Sequence, residues 1–281
     1  MVRFGFHMNI SPSLSSVPGR AQELECRTIQ IFSRNPRGWE YQDLDRSEVL
    51  AFREKLKKAD IDPLVIHMPY LPNPASPDRE KFKKSLDSLK EELRRAGLLH
   101  ARYVNVHIGK SMDAPLEQAM ENVAVSINTA LEKDGPGVII LLENTAGQGT
   151  EIGSTFEQIK FILDRIRDKE RIGVCLDTAH LFGAGYDLRD KEAINQTFRN
   201  FDRTVGLKYL HCIHYNDSKA AFNSRVDRHW HIGKGEIGRK GMQAIIRCSM
   251  ISHLPFIMET PKDSPEDDLM NLKTVKGYLR K

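Results

Sequence analysis

Residues 138–149 read VIILLENTAGQG, in which an apolar run ends on a carboxylate and leads into a turn of small and polar residues. A short run that is apolar at every position is typical of a strand buried on both faces, as in a parallel sheet. The same arrangement recurs along the chain. We therefore predict eight strands, at residues 2–6, 28–32, 64–67, 103–107, 138–143, 172–177, 209–214 and 256–259.

Longer amphipathic stretches separate these runs and have the 3.6-residue periodicity of helices. A chain that alternates strand and helix eight times is typical of a TIM barrel, an α/β fold whose active site lies at the C-terminal face of the parallel strands. The alternative on this pattern is an open, doubly wound sheet. We expect a single barrel domain over residues 1–281.

The composition is that of an ordinary globular protein, with 40% hydrophobic and 28% charged residues. No apolar run reaches the roughly 18 residues of a membrane span, so no membrane partner is expected, and the N-terminus has no secretory signal pattern. The four cysteines are widely spaced, which favours reduced thiols in the cytoplasm over a thiolate zinc site. A net charge of +4 does not by itself indicate nucleic-acid binding. We expect a monomer.

Six of the predicted strands end in a polar residue. These residues are His67, His107, Glu143, Asp177, His214 and Glu259. In a barrel these positions open onto one face, so the six side chains are expected to converge at a single mouth. Three further candidates follow closely: His180 in the sequence DTAH, and Asp227 and His229 in DRH, where alternate residues of an extended segment share a face.

The nine candidates are five histidines and four carboxylates. Imidazole and carboxylate without thiolate suit catalytic zinc, with manganese or iron as substitutes. A single histidine or carboxylate at a strand end is more often a structural residue, a helix cap or an ion-pair partner. Carboxylates crowded at one mouth repel one another, however, and raise each other's pKa values unless cations compensate them. Three divalent ions against four negative charges leave a positive charge that suits a phosphodiester.

Six longer motifs carry a family resemblance. They are ENTAGQG (143–149), LDTAHLFGAGYDL (176–188), HYNDSK (214–219), VDRHWHIGKGEIG (226–238), IQIFSRNPRGW (29–39) and HMPYLPNPASP (67–77). Together they resemble the endonuclease IV family, also called AP endonuclease family 2 or deoxyribonuclease IV, over essentially the whole chain. The first loop, residues 9–19, departs from the family pattern, because Pro12 and Ser13 replace a glycine pair. Contact of this loop with DNA is therefore an open question.

The resemblance implies a TIM barrel with three zinc ions per chain. Carried over by motif, the ligands of the first ion are His67, His107 and Glu143, those of the second are Glu143, Asp177, His214 and Glu259, and those of the third are His180, Asp227 and His229. The implied reaction belongs to base excision repair. It hydrolyses the phosphodiester 5′ to an abasic site in double-stranded DNA and leaves 3′-hydroxyl and 5′-deoxyribose phosphate ends, and the family also removes blocking groups from 3′ ends. Glu143 is expected to be catalytic too, because a bridging carboxylate orients the nucleophile.

The resemblance also implies that two loop residues enter the DNA, Arg37 at the base stack and Tyr70 on the minor-groove side. From the residues alone, a solvated cation and an aromatic ring packed on the barrel rim are the more common interpretations. Lys219 and Arg228 lie close in sequence to the candidate ligands. We expect both to contact DNA phosphates, although each is also consistent with an ordinary surface charge.

Two other functions fit parts of the pattern. A sugar isomerase or epimerase on the same barrel binds one or two divalent ions, but it has no use for His180, Asp227 and His229 as a third set. A DNA-damage binder without catalytic activity explains the loops but not the complete ligand set. A count of the metal ions per chain and a cleavage assay distinguish the three hypotheses.

Overall fold

The structure is a computed structural model that describes residues 2–132, 135, 137–264 and 266–280. The strands of the described residues are β1 Arg3–Met8, β2 Ile29–Ile31, β3 Leu64–His67, β4 Tyr103–His107, β5 Ile139–Glu143, β6 Ile172–Asp177, β7 Leu210–His214, β8 Asp217–Ser218, β9 His229–Trp230 and β10 Pro255–Met258. Eight of them form a closed parallel barrel in the order β1-β10-β7-β6-β5-β4-β3-β2. The TIM barrel is therefore confirmed, and the open sheet is wrong because β1 pairs with β10.

Helices follow the barrel strands and cover the outside of the barrel. Those of the described residues are α1 Val17–Glu23, α2 Arg46–Lys58, α3 Arg79–Leu99, α4 Leu116–Leu131, α5 Phe156–Arg165, α6 Thr178–Gly183, α7 Lys191–Thr204, α8 Gly238–Ile246 and α9 Asp267–Leu279. At the N-caps of α2, α3, α5 and α7, an aspartate or threonine side chain accepts a backbone N–H of the first turn. Such caps satisfy donors that the helix itself leaves free. None of the described helices has the length and apolar character needed to cross a membrane.

The packing inside the barrel explains why the polar side chains at the strand ends point towards one another. A small buried cluster fills the barrel interior: Val65, Tyr103, Leu141, Cys175, Cys212 and Ile257. Each of these residues lies two or four positions before a polar strand-end residue. Because side chains alternate between the two faces of a strand, the polar residues point into the barrel above this cluster.

A two-stranded antiparallel sheet, β8 and β9, lies outside the barrel and was not predicted. Its pairs are Asp217 with Trp230 and Ser218 with His229. Two-residue strands are too short to give the alternation by which strands are recognised in a sequence. The pairing fixes His229 relative to the end of β7, although the two segments are joined by a long loop.

Candidate active site

The nine predicted ligands meet at the C-terminal mouth of the barrel. Within the described residues, ligand atoms that all lie within 4.8 Å of one another form four groups, of which one joins His214 to Cys175 and Cys212 of the barrel interior and three lie at the mouth. The three groups at the mouth are His67 with His107 and Glu143; Glu143 with Asp177, His214 and Glu259; and Asp177 with His180 and His229. Asp227 joins the third group through its contacts with both histidines. The structure therefore brings all nine residues together in three neighbouring groups.

The first group is centred on one carboxylate oxygen. Nε2 of His67 lies 3.4 Å and Nε2 of His107 lies 3.3 Å from Oε2 of Glu143. His67 and Glu143 end the strands β3 and β5 on either side of β4, which ends at His107. The side chain of Glu143 has no exposed surface, whereas that of His107 is 39% exposed and faces the opening.

The second group surrounds the imidazole of His214 at the end of β7. Its Nδ1 lies 2.9 Å from Oε1 of Glu143, 3.1 Å from Oε2 of Glu259 and 4.0 Å from Oδ2 of Asp177. Three carboxylates thus face one side of a single buried ring. Glu143 belongs to both this group and the first, which is the position expected of a bridging ligand.

The third group depends on structure beyond the barrel strands. Oδ1 of Asp177 accepts the backbone N–H of His180 at 2.8 Å, and this N-cap starts helix α6 and directs His180 to the mouth. Oδ1 of Asp227 lies 3.3 Å from Nε2 of His180 and 3.4 Å from Nε2 of His229. Nε2 of His229 also lies 3.5 Å from Oδ2 of Asp177.

These spacings fit tetrahedral zinc. Ligand atoms about 2.0–2.1 Å from a tetrahedral ion lie about 3.4 Å from one another. Five distances in the first and third groups fall between 3.3 and 3.5 Å, whereas Nδ1 of His180 lies 4.0 Å from Oδ1 of Asp177. Direct ion pairs between imidazolium and carboxylate are normally shorter than this, at about 2.7–2.9 Å. The two groups are therefore spaced as ligands around a common centre.

The free ring nitrogens of three histidines are also directed as in a metal site. Nδ1 donates to a backbone carbonyl in His67 (to Met68, 2.7 Å), in His180 (to Asn144, 2.8 Å) and in His229 (to Glu259, 3.2 Å). Such a bond fixes the tautomer in which Nε2 keeps a lone pair for a metal ion. Nε2 faces a carboxylate in all three rings, and Nδ1 of His180 also lies 3.5 Å from Oε1 of Glu143.

The carboxylates and imidazoles at the mouth shift one another's pKa values. Burial raises the pKa of Glu143, but the positive charges of His107 and His214 outweigh this effect and hold that pKa well below its ordinary value. Burial lowers the pKa of His214, but Glu259 and Glu143 outweigh it and hold that pKa well above its ordinary value. Since imidazole binds a metal ion only in its unprotonated form, a divalent ion held here would compete with protons for these rings.

Gln30, in the middle of β2, forms hydrogen bonds with two of the predicted ligands and was not singled out in the sequence. Its Oε1 accepts a hydrogen bond from Nε2 of His214 at 2.9 Å, so Nδ1 of that ring is left for the carboxylate side. Its Nε2 donates to Oε1 of Glu259 at 2.6 Å and to Nδ1 of His7 at 2.9 Å. In the sequence, Gln30 is a single amide between apolar neighbours in TIQIF, and this pattern does not show which residues its side chain contacts.

Two asparagines were also missed. Asn105 in β4 donates to Oε2 of Glu143 at 2.5 Å. Asn216 donates to Oδ2 of Asp177 at 2.6 Å and accepts the backbone N–H of Glu259 at 2.7 Å. Hydrogen bonds of this kind fix the orientation of ligating carboxylates.

A cavity of about 1040 Å³ opens above the nine residues. Arg37, Tyr70 and Arg228 line it together with several of the ligands, as expected for residues that face DNA. Tyr70 is 62% exposed, and its ring also packs edge-on against Phe32 at a centroid distance of 5.1 Å. Lys219 does not line the cavity: it is exposed, and its Nζ lies 4.0 Å from the centre of the Trp230 ring.

The chain matches the family model of xylose isomerase-like TIM barrels over residues 18–278. It is 42% identical over 279 residues to a probable endonuclease 4 of Methanosphaerula palustris, an alignment that covers 98% of each chain. The chain belongs to the endonuclease IV family. A solved endonuclease IV from Thermus thermophilus is 34% identical to it, with a TM-score of 0.87 over 99% of this chain and 98% of that one.

The same barrel occurs in a D-tagatose 3-epimerase-like protein, with a TM-score of 0.73 at 19% identity over 98% of this chain and 97% of that one. A likeness at this identity shows the fold alone. The predicted membership of the endonuclease IV family is thus confirmed, whereas the rival sugar isomerase depends on a shared barrel only.

Proposed function

We propose that this protein holds three zinc ions with the nine residues at the barrel mouth and hydrolyses the phosphodiester 5′ to abasic sites in double-stranded DNA. As a member of the endonuclease IV family, it is an AP endonuclease and therefore a phosphodiester hydrolase. The observation that supports three ions is the presence of three neighbouring groups of candidate ligands at the mouth, two of which contain facing atoms at the spacing of a metal coordination shell. Manganese or iron in place of zinc is compatible with the same donors.

Divalent ions held here would act as Lewis acids towards a phosphodiester and make a water molecule a stronger nucleophile. The residues of the chain would supply the orientation of the attacking water. Glu143 lies where the first and second groups meet, and its carboxylate is held by Asn105 and by His214. We propose that Glu143 fixes the attacking water in line with the scissile bond, which leaves 3′-hydroxyl and 5′-deoxyribose phosphate ends.

The cavity above the ligands is suited to a nucleotide that has left the duplex. Extrusion costs least where base pairing is already absent, so an abasic nucleotide is selected without any reading of bases. Arg37 and Tyr70 line this cavity, which supports our proposal that they occupy the space that the extruded nucleotide leaves. Arg228 in the cavity and Lys219 outside it are proposed to contact phosphates on either side of the lesion.

A nicking assay tests the proposal. The protein as purified, without added magnesium, is incubated with a labelled duplex that carries one abasic site, beside the same duplex without the lesion. We expect cleavage at the lesion only, a 3′ end that a DNA polymerase extends directly, and about three metal ions per chain by elemental analysis. One or two ions per chain together with no nicking would contradict the proposal and favour the sugar isomerase.

Two further aspects of the proposal have separate tests, and a third is supported by the cysteines. Removal of 3′-blocking groups is tested with a duplex that ends in a 3′-phosphate at a nick. Action as a monomer is tested by sedimentation at the concentration of the assay. The four cysteines are buried free thiols, which supports a reducing, cytoplasmic setting.

A further inference from the structure

The segment that carries Arg37 rests on a buried ion pair. This segment, which we call the rim loop, comprises residues 33–42 between β2 and α2. Nε of its Arg34 lies 2.7 Å from Oε1 of Glu92 in helix α3, and the two side chains are 3% and 0% exposed. Ser33 donates to the other oxygen of Glu92 at 2.6 Å. Both oxygens of this carboxylate are therefore used by the first two residues of the rim loop.

The guanidinium of Arg34 then reaches forward to the backbone of its own loop. Nη1 donates to the carbonyl oxygens of Gly38 at 3.1 Å and Trp39 at 3.2 Å. Nη2 donates to Oγ of Ser88, one helical turn before Glu92 on the same face of α3, at 2.5 Å. The side chain of Arg34 thus links both ends of the segment 34–39, which contains Arg37, and anchors this segment to helix α3.

Two more contacts hold the rim loop in place. The backbone N–H of Tyr70 donates to the carbonyl of Pro36 at 3.1 Å, which joins the two residues proposed to enter DNA through the rim loop. The ring of Tyr41 lies over the guanidinium groups of Arg34 and Arg95, at 5.4 and 5.6 Å from its centre. The far end of the rim loop is therefore held to helix α3 as well.

A buried ion pair is a weak source of stability, because desolvation of two charges offsets their attraction. Apolar side chains of similar size would also join the loop to the helix, but they have no donors for the carbonyls of residues 38 and 39. On the basis of the proposed function, we propose that Arg34 and Glu92 are positioning residues, which hold the rim loop in the shape that presents Arg37 to an abasic duplex. They act on DNA binding through Arg37 and contact no reacting atom.

The test uses the double variant Arg34→Met with Glu92→Leu, which keeps the buried volume and leaves no charge without its partner. The matched control is Arg94→Met. Arg94 lies in the same helix and pairs with Glu91 at 2.8 Å and with Asp43, directly after the rim loop, at 3.1 Å, but its side chain is 43% exposed and donates to no atom of residues 33–42.

The first measurement is amide hydrogen exchange of the free protein, which requires no activity. We expect exchange in residues 35–39 to become at least about tenfold faster in the double variant, while strand β5 keeps its protection. The second is steady-state cleavage of an abasic duplex. We expect KM to rise about tenfold, with kcat and metal content within about twofold of the wild type. The control variant should leave both measurements unchanged.

Unchanged exchange in residues 35–39 overturns the proposal, and so does a uniform loss of protection that includes strand β5. Faster exchange in the rim loop with an unchanged KM also overturns it, because the ordered loop then has no part in DNA binding. If the wild type does not cleave an abasic duplex at all, the proposed function has failed, and the exchange measurement still decides whether Arg34 and Glu92 order the loop.

Discussion

Replacement of Glu143 by glutamine removes one negative charge from the centre of the ligand groups and changes the size of the side chain little. Glu143 is fully buried, and ring nitrogens of four histidines lie between 2.9 and 3.5 Å from its oxygens. A negative and a positive unit charge about 4 Å apart, at an effective dielectric constant of about 20, attract each other by about 4 kcal/mol. If this attraction is lost in the transition state, kcat falls about 10³-fold.

The fold is expected to survive Glu143→Gln. Asn105 donates to Oε2 of Glu143, so the oxygen of the new amide takes that position and its NH₂ group turns towards His214. The assay is single-turnover cleavage of an abasic duplex, with circular dichroism and elemental analysis on the same samples. The matched control is Glu151→Gln, since Glu151 is near the mouth but pairs with Lys110 at 3.5 Å and belongs to no ligand group.

Two results would refute this reasoning. Near-normal turnover by Glu143→Gln with all its metal ions bound would show that the charge of Glu143 has no catalytic role. A loss of the far-ultraviolet helix signal would show that the charge is needed for folding, in which case the loss of cleavage carries no information on mechanism.

Three further variants test other parts of the site. Asp227→Asn weakens the third group, so we expect about two metal ions per chain and a kcat about 10²-fold lower; three ions by elemental analysis would contradict the assignment. Gln30→Leu removes the partner of His214 Nε2, and the metal affinity should fall about 10–100-fold in competition with a chelator, whereas an unchanged affinity would deny Gln30 a supporting role. Arg37→Ala should weaken binding to an abasic duplex more than to an undamaged duplex in a titration; equal losses would reduce Arg37 to a phosphate contact.

The convergence of the candidate ligands could be predicted from the sequence because parallel strands in a barrel end on one face. His67, His107 and Glu143 each follow a run of apolar residues, and this local pattern places them at the mouth whatever the rest of the chain does. The contacts of Lys219 could not be predicted in the same way. Its position five residues after His214 led to the prediction of a DNA phosphate contact, and nothing in the sequence indicated that Lys219 lies over the ring of Trp230 in the β8–β9 pair.

The sequence by itself determined the barrel and the kind of chemistry at its mouth, because both depend on residue type and on spacing along single strands. Only the tertiary structure decided which atoms of these side chains meet. Gln30 and His214 are 184 positions apart, and Arg34 and Glu92 are 58 apart. No local pattern relates such partners, since their contact exists only once the barrel has closed and helix α3 has packed against the rim loop.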